Sequence, residues 1–419
     1  MSASVNVSGR PAVEWATIGS HYQARKRSGQ TEFRADPLKP KVTGSIGLPG
    51  DGAAMRFVLD NKSGIAMIHD PHRQTLSAVV LVSHPSFALL DHSDKLQRVN
   101  SWGRIISQLA QSGTIAAIQV LEATIPDPAT GQVEWWKEKG HQDSSWAAVQ
   151  YEKLLDQVRL DSSTHRTTVT VSLDLKKSAR AIKAAGRGLK GAVEVLRADM
   201  VSLTEALRQS GVKSVGWFGE SQLAAVVRQA FQPEIATEDF KAEKGRTGTA
   251  GPVAISETWD TLRHDSAYSR VFWISEWPRI DVPTDFLHPI VFAPGVRRTL
   301  SLIMRPIPTG EAMRQIRREK TEAVADMAQR QKVGQIAELS QKQEYDDLLS
   351  REQSLISGHT DVIFSGFVTV TASTKEALEA GSAAITRAAS QSACDLRPLY
   401  GRQLQGFILA SLPLGRSAF

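Results

Sequence analysis

Cysteine is nearly absent: Cys394 is the single one in 419 residues. That excludes an intrachain disulfide framework and any zinc cluster built on paired cysteines. The chain contains no G-x-x-x-x-G-K-[ST], so the phosphate cradle of a P-loop ATPase is missing. G-x-S-x-G, H-E-x-x-H and C-x-x-C are missing too. Long apolar runs are scarce. The longest lies near Ala78–Val82, far below the ~18 residues needed to span a bilayer. The opening thirty residues are polar and do not read as a signal peptide. Neither charge sign dominates, with 50 basic against 44 acidic residues and a net charge of +6. Such an excess permits an anionic partner without requiring one.

What is present is ordinary globular composition, 41% hydrophobic and 22% charged, in a chain long enough for two or three cores. "GRPAVEWATIGSHYQARKRSG" reads as a short helix ending in the basic cluster Arg25–Arg27, and the Pro-, Gly- and Lys-rich stretch from Asp36 to Asp51 as a linker. "AMRFVLD", "GIAMIHD" and "LSAVVLVS" are strand-like runs between polar turns. "TIAAIQVLEATI", "RTTVTVSLDL", "RRTLSLIMRPI" and "DVIFSGFVTVTA" are further strands. "PDPATGQVEWWKEKG" reads as a loop, and residues 146–160, 176–209 and 374–391 as helices, the second broken at its glycines. "AISETWDTLRHDSAYSRVFWISEWP" reads as a hairpin turning at His264–Ser266. Strands interrupted by helices, with hairpins among them, predict an α+β fold of two lobes with mixed or antiparallel sheets packed by helices. The expected division is an N-terminal helix and linker (1–45), a first lobe (46–240), a flexible loop (241–252) and a second lobe (253–419). No short sequence repeat is evident.

The run Asp91-His92-Ser93-Asp94 invites a catalytic reading, but it opens a helix whose small or apolar residues recur at Leu96, Val99, Gly103, Ile106 and Ala110. Adjacent residues in one turn point apart, so Asp91 or Ser93 is expected as an N-cap rather than as part of a triad. His69-Asp70-Pro71-His72 pairs imidazoles with a carboxylate. Asp-Pro between strands is turn chemistry, and neither a third nor a fourth metal ligand can be named. "GRGLKG" (186–191) matches G-x-G-x-x-G in form, yet it does not directly follow a strand as a dinucleotide site requires. No catalytic, cofactor or metal residue is therefore assigned.

Two surfaces stand out instead. Lys176, Lys177, Arg180, Lys183, Arg187 and Lys190 occur without an acidic residue among them, a candidate face for nucleic acid or anionic lipid, or simply a solvated helix face. Residues 309–357 read as a long charged arm, a salt-bridged helix or a helical hairpin, that meets a partner or crosses its own domain; in it Arg314, Arg317, Arg318 and Lys320 balance Glu311, Glu319, Glu322 and Asp326. Its thin apolar stripe, Met313, Ile316, Ala323 and Met327, makes it a candidate docking arm, with Arg317 beside the stripe. Trp135, Trp136 and Trp146 are expected to pack on the domain surface, and Trp102, Trp217, Trp259, Trp273 and Trp277 in the core.

The ordered motifs "GRPAVEWATIG", "RVNSWGRI", "HRTTVTVSLDL", "GWFGESQLAAVVRQAF", "SETWDTLRHDSAYSRVFWISEWPRIDV", "FLHPIVFAPGVRRTLSLIMRPI", "GFVTVTA" and "LYGRQLQGFILASLPLG" resemble an actinobacterial family of mobile-element transfer clusters. Its members are encoded beside a PrgI-like membrane protein and a conjugation ATPase of the CagE/TrbE type. The resemblance runs from about Gly9 to Gly415 and extends to the non-motor N-terminal region of those ATPases, where "LPLG" precedes the motor. It implies a non-catalytic assembly component of a type IV secretion-like conjugative DNA-transfer apparatus. The implied partners are the motor ATPase and the PrgI-like protein, with self-association possible and a place at the cytoplasmic membrane face. It implies no catalytic residue and no cofactor. Family members usually carry a membrane hairpin ahead of "GRPAVEW". Without one, the chain is either the cytoplasmic piece of a longer protein or a soluble member recruited by a partner.

Overall fold

The structure, a computed structural model, describes residues 6–7, 10–36, 38, 44–83, 87–126, 130–140, 143, 145–161, 163–233, 250–332, 339–357 and 360–418. The N-terminal elements are β1 (Asn6–Val7), β2 (Arg10–Pro11), α1 (Ala12–Arg27) and β3 (Glu32–Arg34). A first series follows: β4 (Arg56–Leu59), β5 (Ala66–Asp70), β6 (Thr75–Ser83), α2 (His92–Gln111), β7 (Ile115–Pro126), α3 (Thr130–Lys139), α4 (Trp146–Asp161), β8 (Ser163–Asp174), α5 (Ala179–Ala184), α6 (Gly188–Gln209), β9 (Lys213–Trp217) and α7 (Glu220–Phe231). The second series is β10 (Ala254–Glu257), β11 (Leu262–His264), β12 (Ala267–Glu276), α8 (His288–Val291), β13 (Arg298–Pro306), α9 (Thr309–Lys332), α10 (Leu339–Ile356), β14 (Val362–Ala372), α11 (Lys375–Gln391), β15 (Asp395–Pro398) and α12 (Gln403–Ala410).

The fold is α+β, built on one open sheet of 13 strands in the order β3-β10-β11-β12-β14-β13-β7-β8-β6-β5-β4, with β15 added to β12 and β9 to β6. Its pairings are antiparallel. The strand order shows something no motif search revealed: the two series are copies of one topology. β4-β5-β6-β8-β7 with β9 on β6 repeats as β10-β11-β12-β14-β13 with β15 on β12. Each copy places a helical pair between its last two central strands, α3–α4 after β7 and α9–α10 after β13. The copies join where β7 pairs with β13, and the register there is symmetric. Leu121 faces Ser301, flanked by Val120–Leu302 and Glu122–Leu300. An approximate two-fold through this seam relates β7 residues 118–126 to β13 residues 298–306, 180 positions on. Faint sequence traces agree: Pro126 and Pro128 match Pro306 and Pro308, and Phe218-Gly219 before α7 matches Tyr400-Gly401 before α12.

Both faces of the sheet are covered, which explains why its central strands read as nearly continuous apolar runs. On one face α7, α12 and the segment around Ile46 and Leu48 bury Val79, Ala117, Val271, Ile303 and Phe367. On the other, α2 and α6 cover Val80, Ile118, Val169 and Val171, while α11 and α8 cover Phe272, Leu300, Val368 and Val370. The C-terminal end of each copy's last helix is held by strands of the other copy. Gln119 donates to the carbonyls of Leu409 and Leu412 at 3.2 and 3.0 Å and accepts from the Gly415 N–H at 2.8 Å. Arg416 closes the tail on buried Asp70 at 3.0 Å. In the reverse direction Arg297 donates to the carbonyls of Pro233 and Gln229, and His264 Nδ1 lies 2.7 Å from the Phe231 carbonyl.

Several expectations change. Ile46 and Leu48 are fully buried, so the second half of the expected linker is core. "PDPATGQVEWWKEKG" is helical from Thr130, because beyond Pro128 only Gly131 in the first turn disfavours a helix and Trp136 packs at a tilt on Tyr151 of α4 with ring centroids 4.5 Å apart. In α2, Asp91 stands at the N-cap with extended backbone, but its side chain makes no capping hydrogen bond. The buried face of α2 is Ile105, Leu109 and Ala110, whereas Leu96 and Val99 are exposed. The expected flexible loop 241–252 lies outside the described residues up to 249, and Ala250–Pro252 are buried. Among the described residues, no helix is long and apolar enough to cross a membrane.

Candidate interaction surfaces

The basic face forms at a sharp corner. After β8, the Asp174 carboxylate accepts the backbone N–H groups of Lys176 and Lys177 at 2.9 and 3.0 Å and turns the chain into α5. The link to α6 runs through Gly186, Arg187 and Gly188, all at positive φ (119°, 64° and 58°). Glycine at two of these three positions makes the corner feasible, so "GRGLKG" is a helix–helix turn and not a phosphate loop. Lys176, Lys177, Arg180, Lys183, Arg187 and Lys190, spread from the turn after β8 through α5 to the start of α6, are all exposed.

The charged arm is a helical hairpin, one of its two expected forms. α9 and α10 are tied by Lys320–Glu352 at 2.8 Å and Arg351–Glu319 at 3.3 Å, with Arg351 also paired to Asp361 at the base. Ile316 is fully buried with Ile307, Ala312 and Leu355, and half-buried Met313 packs on them. The first part of the stripe therefore anchors the arm to its own sheet. Arg317 is exposed, and the side chain of Met327 lies outside the described residues.

A third surface went unread in the sequence. At the β6–β8–β7 end of the sheet a groove of about 720 Å³ is lined by Val82, Phe87, Glu122, His165, Thr167, Val215, Phe286, Leu287, Val291 and Phe292, among others. His165 Nδ1 lies 3.0 Å from one Glu122 oxygen, and the Thr167 hydroxyl donates to the other. Phe292, 49% exposed, is sandwiched between the rings of His165 and His288 at 4.8 and 4.5 Å. Lys95 of α2 fixes the lip by its 2.9 Å pair with Asp285. Behind β8, Arg166 donates to Gln229 at 2.8 Å, and burial pushes its pKa down to about 10. A signal was available: along β7 and β8, Glu122 and His165 stand where the period-two pattern calls for apolar residues. They are 43 positions apart, so only pairing of the strands shows them to be partners. The arrangement suits an apolar guest with a polar edge. Among the described residues, no group of three or more His, Cys, Asp or Glu is placed to hold a metal ion. His69 and His72 flank a β-turn in which Asp70 accepts the His72 and Arg73 N–H groups, the turn expected from Asp-Pro.

The tryptophans divide. Trp102, Trp217, Trp273 and Trp277 pack into cores, and Trp259 lies among Trp15, Tyr22 and Tyr400, which anchors α1. Trp135 and Trp146 do not pack as expected: they are 53% and 79% exposed.

Residues 162–274 match the family model of EccE, described as a putative type VII ESX secretion system translocon. The matched stretch is about a quarter of the chain and links it to a secretion-system family. It runs from β8 through the basic corner and α7 to β12, crossing from one copy of the repeat into the other. No curated protein matches the chain.

Proposed function

We propose that this chain is a non-catalytic assembly component of a secretion apparatus of the type IV-like conjugative kind, working at the cytoplasmic face of the membrane. The observation that carries the reading is the match of 162–274 to a translocon component of a secretion system. The motif order from Gly9 to Gly415 supports the finer assignment to DNA transfer. In this role the two lobes, 46–240 and 253–419, form a rigid scaffold, and the α9–α10 hairpin docks the CagE/TrbE-type motor ATPase. The PrgI-like membrane protein is the second partner. Arg317 and the exposed charged face of the hairpin make the contact, since Ile316 is committed to the core. Co-purification of the chain with that ATPase tests the proposal. A complex of fixed stoichiometry, lost when the exposed arginines of α9 are reversed to glutamate, is the expected outcome. Two folded proteins that never associate would defeat it.

A second reading rests on the exposed cationic corner at α5–α6, which suits contact with the phosphates of the transferred strand. It predicts single-stranded DNA binding that weakens steeply with salt and disappears in Lys183→Glu/Arg187→Glu. Binding that is absent at low ionic strength would remove this reading.

A further inference from the structure

The internal two-fold allows the open groove to be compared with its own counterpart. In the first copy, Thr167 faces Val82 on one side and Glu122 on the other, and His165 lies two residues along β8. The equivalent residues in the second copy are Gly366, Ile274, Leu302 and Phe364, with Leu302 paired to Gly366. There the place is filled. The Trp277 indole lies on Gly366, where an added Cβ would come within 2.6 Å of the ring, and meets Phe364 edge-on at 5.0 Å. In sequence, "SHPS" (83–86) stands at the end of β6 as "SEWP" (275–278) does at the end of β12, so the position corresponding to Trp277 is not a tryptophan, and among the described residues no indole lines the first site. The site thus has an aromatic-lined shape whose twin holds an indole, together with a carboxylate and an imidazole that the twin lacks.

The same chain presents an indole that is left exposed among the described residues. α3 leaves the sheet after β7 and α4 returns to it before β8, so the end of α3 and the start of α4 form the far end of a helical pair joined by Trp136 on Tyr151. Ten residues of α3 carry that end roughly 15 Å out. Trp146, 79% exposed, opens α4 at this tip.

We propose that the groove between Val82, His165 and Phe292 receives Trp146 from the α3–α4 arm of a second copy of this chain. Each copy offers one arm and one groove, so the contact is made twice and closes a two-fold dimer. The indole N–H is a donor that meets the acceptors at Glu122 and His165, and the ring lies among Phe286, Leu287 and Phe292. This inference does not rest on the proposed secretion role and stands or falls separately from it.

Sedimentation equilibrium of the full chain tests it. The expected result is a monomer–dimer equilibrium that Trp146→Ala weakens by at least about 30-fold, the loss expected from truncating an aromatic anchor. Thr167→Trp, which fills the groove from within, is expected to weaken it equally, and N-acetyltryptophanamide to compete with dimer formation in the wild type. A complementary mixture separates docking from damage. Trp146→Ala retains a groove and Thr167→Trp retains an arm, so the two variants mixed recover one contact and associate more tightly than either alone. A chain that stays monomeric up to about 100 µM overturns the proposal, as does a dimer unchanged in Trp146→Ala. Binding of N-acetyltryptophanamide to a strictly monomeric chain overturns the second copy as the source of the indole.

Discussion

The two copies of the repeat solve the same problems with different chemistry. Asp70 and His264 occupy equivalent ends of equivalent hairpins, and both are buried. In the first copy a carboxylate holds Arg416 of the tail, and in the second a neutral imidazole lies against the Phe231 carbonyl and Ser269. Likewise Glu122, His165 and Thr167 leave an open polar-edged groove where Leu302, Phe364 and Gly366 accept Trp277. The topology requires something to clamp the crossing tail but does not dictate what. It tolerates either a filled or an empty aromatic site. The copy whose site is empty is the copy available for binding.

The sharpest break in this comparison is the tail clamp. Arg416→Met leaves Asp70 buried with two backbone N–H partners and only the field of nearby Arg73 in place of its ion pair, and is expected to cost about 3 kcal/mol in urea unfolding. The second clamp responds to pH instead. Burial pushes the His264 pKa down to about 4. Between about 6.5 and 4 the unfolded chain binds a proton that the folded chain refuses, so stability falls as pH drops through that window. The loss is about 3 kcal/mol at its lower end. His264→Gln, which keeps an acceptor and a donor, is expected to flatten that part of the profile when denaturation is followed at pH 7 and pH 4.5.

The aromatic sites are distinguished by a reciprocal exchange. Gly366→Thr gives the filled site the side chain of the open one and drives a Cβ into Trp277 and Ile274, with an expected cost of about 2 kcal/mol. Thr167→Gly meets no such obstacle, and its expected cost of about 1–2 kcal/mol combines backbone entropy with loss of the hydroxyl bond to Glu122. A Gly366→Thr variant as stable as the wild type, read from chemical denaturation midpoints, would argue against Trp277 filling the second site. The smallest effect belongs to the arm. Lys320→Glu breaks a partly exposed pair with Glu352 and is expected to lower the melting temperature only slightly, with the loss shrinking in high salt.

Much of the fold was legible along the chain. The strands at 75–83, 115–126, 163–174, 298–306 and 362–372 are long, β-branched and bounded by turn residues, so local chemistry is enough to place them. The break of the 176–209 helix at its glycines and the hairpin at Asp265 and Ser266 were legible for the same reason. α3 was misread because two prolines ahead of it suggested a loop, and the exposed Leu96 and Val99 because a helical period does not say which face meets the sheet.

The residues by themselves determined the class of the fold, the lack of a P-loop and the cationic run at 176–190, since each depends on neighbours in the chain. Only the tertiary structure decided the rest. The repeat was hidden because register, not residue identity, relates its copies: Leu121 and Ser301 are equivalent without being alike. The groove was hidden because Glu122 and His165 become partners only when β7 and β8 pair. Which indole is packed and which is left in water was likewise undecidable in one dimension, because Trp277 has Gly366 beneath it while Trp146 stands at the far end of an arm.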